Sequence, residues 1–316
     1  MRFLAGDCDT GIAQIDALQL DEAATVWAAA EFHSTFGQRT KAEAALLREH
    51  EVKVVIADAP PLACAAAASV GVPSIVMGNF TWDWIYEEYL ERFRADAPEV
   101  LPLIREAYRN AREAWRIPMH GGFDTVASVI DLPFVARHAG RARAMVLEAL
   151  QISAARPLAL LSFGGYGVEG LDLERLDCLE QWTIVVTGKT APASLPAGAA
   201  FVNEGYLYDR GMRYEDLVGA VDVVVSKPGY GIISECVANH TALLYTSRGR
   251  FREYDVMVHE MPRVLRCAHL AQEALLAGRW RAALDDLLAS PPPPERPATN
   301  GAELAAARIL ELLQRL

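Results

Sequence analysis

The sequence predicts an α/β protein built from parallel sheets and divided into two domains. Three observations predict it. Short β-branched or apolar runs alternate with amphipathic segments along most of the chain, which implies right-handed βαβ units. Glycine-rich turns follow several of those runs, at the strand-to-helix junctions where such sheets place ligands. With 316 residues, 52% of them hydrophobic, the chain suits two cores better than one.

In chain order, VKVVIA and PSIVMGN are strand-like, and PPLACAAAASVGVP between them reads as a short buried helix bounded by prolines. After PSIVMGN, residues Asn79, Thr81 and Asp83 cluster at a strand end. Thr81 and Asp83 equally suit a helix N-cap. Trp82, Trp84 and Tyr86 suit either stacking on a sugar or base or core packing. Trp84 to Trp115 is expected to be helical, interrupted near Pro98 and Pro102. The segment DLPFVARHAGRARAMVLEAL passes from strand to basic turn to helix, placing a domain boundary near residue 138. Residues 1–137 are then the first domain and 138–290 the second. In 291–316, SPPPPERPATNG is a stiff connector, and the closing helix is expected to pack back on the first domain.

The second half holds the densest chemistry. In VDVVVSKPGYGIISEC a buried strand runs into Ser226, Lys227, Pro228, Gly229 and Gly231, with a helix expected from about Tyr230. Glycines there let backbone approach a ligand, and the helix start offers free N–H groups to a phosphate. Ser234 belongs to the same turn and helix, and Glu235, about one turn on, suits a ribose. The spacing is neither GxGxxG nor the Walker pattern. The same turn also serves where a helix merely packs on a sheet, and spacing alone does not separate the two uses. LALLSFGGYG places Ser162, Gly164, Gly165 and Gly167 at a neighbouring strand end. VVTGK adds Lys189, either near a phosphate or simply solvated, and RGRFREYDVMVHEM adds Arg248, Arg250, Arg252, Glu253, Asp255 and His259, either as contacts to a donor sugar or phosphate or as a solvated helix start.

The net charge of −11 opposes broad contact with nucleic acid or anionic membrane. Five widely spaced cysteines without a CxxC pair point to a reduced, cytoplasmic setting. No apolar run reaches the ~18 residues of a membrane span, and no metal cluster or cofactor motif is expected.

Taken together, NFTWDWIYEEY, DLPFVAR, VVVSKPGYGIISE and NGAELAAARIL, in that order, resemble the nucleotide-sugar glycosyltransferase-like region at the N-terminus of L-arabinokinases and in free-standing bacterial homologues. The resemblance spans nearly the whole chain. It implies the GT-B fold, two Rossmann-like domains facing a cleft, with a nucleotide diphosphate sugar (UDP-sugar the expected donor) on the C-terminal domain and an unknown acceptor on the other. Gly164, Gly165, Lys227, Gly229, Gly231, Ser234 and Glu235 match its nucleotide side. Ser226, Tyr230, Arg250 and Asn79 complete the expected binding set, and Asp83 is the expected base for metal-independent hexosyl transfer. The kinase half and its phosphate motifs have no counterpart. Nothing in residues 1–27 matches the family's opening strand and GHG-type loop, so an incomplete N-terminal domain is expected. That gap also raises an alternative, a non-catalytic sugar-nucleotide-binding or regulatory module.

Overall fold

The computed structural model describes residues 3–163, 168–191 and 194–315. Strands β1 (Val55–Ala57), β2 (Ser74–Phe80), β3 (Glu113–Gly121) and β4 (Val129–Asp131) form a parallel sheet in the order 1-2-3-4. A second parallel sheet contains β5 (Leu158–Leu161), β6 (Thr183–Gly188), β7 (Ala199–Asn203), β8 (Val223–Ser226), β9 (Ala242–Tyr245) and β10 (Cys267–His269), in the order 10-9-8-5-6-7. Strand β8 lies between β5 and β9 with all four residues buried, as its β-branched sequence requires of a central strand.

The expected helical stretch from Trp84 to Trp115 is corrected at its end. Helices Trp82–Tyr86, Leu90–Asp96 and Val100–Arg109 are followed by β3, which takes in Trp115. Helix Val100–Arg109 buries Val100, Leu101, Ile104, Ala107 and Tyr108 along one face. Pro102 stands in its first turn, where a missing N–H costs nothing. Strand β3 was hidden because Glu113, Arg116 and Pro118 interrupt its apolar alternation.

Two connections carry the chain from one domain to the other. The first follows β4 and is fixed to the second domain by Asp216, whose Oδ1 accepts from the backbone of Gly140 (2.7 Å) and Arg141 (3.0 Å). The second returns through the proline-rich connector. The crossings bond to each other: Phe134 N–H donates to Ala298 O (3.2 Å), Gly301 N–H donates to Phe134 O (2.9 Å), and Val135 pairs with Asn300. A Cβ at Gly301 would stand 2.3 Å from Pro133 O, so this close approach demands glycine. The closing helix Gly301–Arg315 then packs Ala305 and Leu312 against Ile75, Trp115 and Ile117 of the first sheet and Leu132 just after β4.

A candidate active site between the two sheets

A cavity of about 620 Å³ lies where the two domains meet. One wall is the carboxyl end of the first sheet, with Asp58 after β1, Met77 to Asn79 in β2 and Ile117 in β3. The opposite wall is the start of helix Tyr230–Asn239, with Tyr230, Gly231, Ser234 and Glu235. Val135 to Arg137 of the first crossing and Ala302 close one side. Parallel strands point their carboxyl ends at this space, which is why short polar residues just beyond apolar runs converge there.

Glu235 is 3% exposed and accepts from Arg137 Nε at 2.7 Å. Burial raises its carboxyl above the ordinary range, against the opposing pull of Arg137. Asn79 is buried, and its Nδ2 donates to Glu253 Oε1 at 2.7 Å, joining β2 to the second domain. Tyr230 stacks on Phe134, and its hydroxyl accepts from Val135 N–H at 3.1 Å. Ser226 and Ser234 are buried and spend their hydroxyls internally, on Ser162 O and Gly231 O. A Cβ at Gly229 or Gly231 would meet nothing within 4 Å, so the backbone at the helix start is open to approach.

At the strand ends beside this turn stand two cations. Burial, with Arg248 adding repulsion, pushes the Lys227 ammonium down to about 8. Burial likewise lowers Arg248, whose Nη1 reaches Pro228 O (3.4 Å). Among the described residues neither has a carboxylate within ion-pair distance. Lys227 Nζ instead donates to Gln14 Oε1 at 3.1 Å. Thr246 Oγ1 and Arg248 Nε are buried without a partner.

The structure thus brings Asn79, Tyr230, Gly231, Ser234 and Glu235 to one cavity, with Ser226, Lys227 and Gly229 on the turn adjoining it. Gly164 and Gly165 lie outside the described residues. Arg250 sits elsewhere on the domain junction, exposed and paired with Glu88 (2.8 Å) and Glu22 (3.5 Å). Asp83 is buried within the first domain, 3.5 Å from Arg105, and does not line the cavity. Among the described residues, the cavity's carboxylate without an ion pair is Asp58, raised by desolvation. Sequence reading passed over Asp58 and Arg137, although Asp58 directly follows the strand run VKVVIA and Arg137 ends DLPFVAR. Arg248 was seen only as one of several basic residues.

No family model matches the chain. L-arabinokinase of Arabidopsis thaliana is 27% identical over 306 residues, covering 96% of this chain. The chain spans only 28% of the length of that relative. Among solved structures, the calicheamicin glycosyltransferase CalG4 superposes with a TM-score of 0.62 at 14% identity, covering 94% of this chain and 82% of that one. The glycotransferase of kitacinnamycin gives 0.59 at 17%, covering 93% and 83%. The glycosyltransferase VinC, in complex with dTDP, gives 0.52 at 15%, covering 93% and 82%. Two parallel α/β domains facing one cleft, matched over nearly the whole chain by these structures, give this protein the GT-B fold of the glycosyltransferases.

Proposed function

We propose that the protein binds a nucleotide diphosphate sugar in the interdomain cleft and transfers the sugar to an acceptor held against the first sheet. The observation that carries this reading is the pair Lys227 and Arg248, two desolvated cations that repel each other and, among the described residues, have no carboxylate in ion-pair contact, Asp16 and Glu253 attracting them only from farther off. Buried like charges repel and are costly unless an anion joins them. They adjoin the open backbone of Gly229 and Gly231 at a ten-residue helix, whose N–H groups and dipole favour phosphate. A diphosphate leaving group gathers negative charge as the glycosidic bond breaks, and cations with helix amides stabilise it in place. Glu235, oriented by Arg137, faces the same cavity as a partner for ribose hydroxyls. Asp58, across the cavity, takes the proton of the acceptor hydroxyl; its raised carboxyl makes it a better base than an ordinary aspartate. This role passes to Asp58 from Asp83, which is enclosed beside Arg105.

Calorimetric titration with UDP, GDP, ADP and dTDP tests the reading. Saturable binding of one nucleotide is expected, weakened roughly ten- to a hundredfold in Lys227→Met, the scale of one lost charged hydrogen bond. Asp58→Asn should keep nucleotide affinity and lose turnover of the matching nucleotide sugar. Equal nucleotide binding by wild type and Lys227→Met would reject the site.

A further inference from the structure

Residues 9–21 cross the cleft and touch both domains. On the first domain, Asp9 Oδ2 accepts from Trp82 Nε1 (3.0 Å), and Tyr86 Oη bonds Gly11 O (3.0 Å) and Thr10 Oγ1 (3.1 Å). On the second, Ala17 and Leu18 are 1% and 5% exposed, inside the apolar cluster that holds Phe163, Val225 and Leu244. Leu18 O also accepts from Gly249 N–H at 2.9 Å. Between these anchors Gln14 holds Lys227.

The part from Ala13 to Asp21 is a loop closed on itself. Asp21 N–H donates to Ala13 O (2.9 Å), Gln14 pairs with Leu20, and Asp16 Oδ1 accepts from Leu18 N–H and Gln19 N–H at 2.7 Å each. Such a loop can move as a unit, because its own bonds travel with it. Its tip rests on the carboxyl ends of β8 and β9, where Lys227, Thr246 and Arg248 emerge. Gln14 offers Lys227 a neutral amide oxygen, a weaker partner than an anion in contact, and Asp16 of the same loop attracts the ammonium only from beyond ion-pair distance.

We propose that the 13–21 loop is a plug over the Lys227–Arg248 anion site, which a nucleotide diphosphate must displace in order to bind. This rests on the donor-site reading above. A plug of this kind lowers apparent affinity by the fraction of molecules in which it is open. Opening it in advance therefore tightens binding.

The test compares wild type with Leu18→Asp, which places a charge in the apolar seat, and with Gln14→Ala, which removes only the Lys227 contact and leaves the core untouched. The probes are UDP, GDP, ADP and dTDP by calorimetry, with hydrogen exchange of the Gly249 amide and amine-reactive labelling of Lys227 followed by mass spectrometry. Leu18→Asp should bind nucleotide about tenfold or more tightly than wild type, and Gln14→Ala a few-fold. In wild type, nucleotide should strip protection from the amide of Gly249, whose N–H donates across to Leu18 O, while the amides bonded within the loop stay protected. Nucleotide affinity equal to or weaker than wild type in both variants, with the Gly249 amide still protected, overturns the plug and leaves the donor site standing. If no nucleotide binds to any of the three proteins, labelling decides. Faster modification of Lys227 in the variants upholds the plug and rejects the donor reading; equal modification rejects both.

Discussion

Replacing Arg137 with alanine isolates what one guanidinium does at the edge of the cleft. Glu235 is 3% exposed and takes its charged hydrogen bond from Arg137 Nε at 2.7 Å, while Glu215 lies 3.9 Å from the same Nε. Without Arg137 a buried carboxylate loses its counter-charge and keeps a like charge nearby. A fully buried pair broken on one side costs about 3–5 kcal/mol. Arg137 is 61% exposed, so water screens the pair, and the expected loss falls to about 1–3 kcal/mol at neutral pH. The pH dependence has a definite sign. Burial already holds Glu235 above its ordinary 4.5, and removing Arg137 raises it further. A raised carboxyl favours the folded state when protonated, so the defect is smallest below 4.5, where Glu235 is protonated in both folded and unfolded chains. It grows as pH rises through the folded value. Urea unfolding followed by tryptophan fluorescence, at about pH 5 and about pH 7.5, measures this directly. Adding Glu235→Gln to Arg137→Ala should restore most of the loss at the higher pH, because the uncompensated charge is gone. A cost below about 0.5 kcal/mol at both pH values, or one that Glu235→Gln does not relieve, would refute the reasoning.

Nucleotide affinity should decline as pH rises through about 8, where Lys227 loses its proton, and Lys227→Arg should flatten that decline in the same titration. Asn79→Ala leaves the buried Glu253 carboxylate without its 2.7 Å donor and should cost about 1–3 kcal/mol by urea unfolding, while Asn79→Asp should be worse because two carboxylates would then meet. Trp280, fully buried with its Nε1 donating to Leu275 O at 2.9 Å, should cost about 3–5 kcal/mol as alanine, without changing the nucleotide affinity of the protein that still folds.

Local pattern carried most of the architecture. Val223 to Ser226, the turn at Gly229 and the helix from Tyr230 stand where a β-branched run followed by glycines places them. Strand β3 escaped because the central position of a strand is a property of its neighbours: Arg116 turns its guanidinium to Asp131 of β4, a partner that an isolated segment does not display. The site divides in the same way. The open backbone at Gly229 and Gly231 is local and was legible. Arg137 meets Glu235 across 98 residues, and Lys227 meets Gln14 across 213, so neither partnership leaves a periodic trace. Asp83 drew attention as a carboxylate after a strand, but the turn of helix Trp82–Tyr86 carries it inward beside Arg105, whereas Asp58 stays on the rim.

The mutual bonding of the two crossings has a mechanical consequence. A pair of strands joined at Phe134–Ala298, Phe134–Gly301 and Val135–Asn300 is a ribbon, stiff against sliding and twisting and compliant only to bending across its flat face. Separate linkers would let the second domain swivel, whereas a ribbon resists that, and residues 9–21, anchored on both domains, add a further restraint. The ion pairs of Arg250 with Glu88 and of Arg252 with Glu87 join the same two domains. Opening of the cleft would therefore work against a stiff ribbon and a charged clasp whose strength falls with ionic strength.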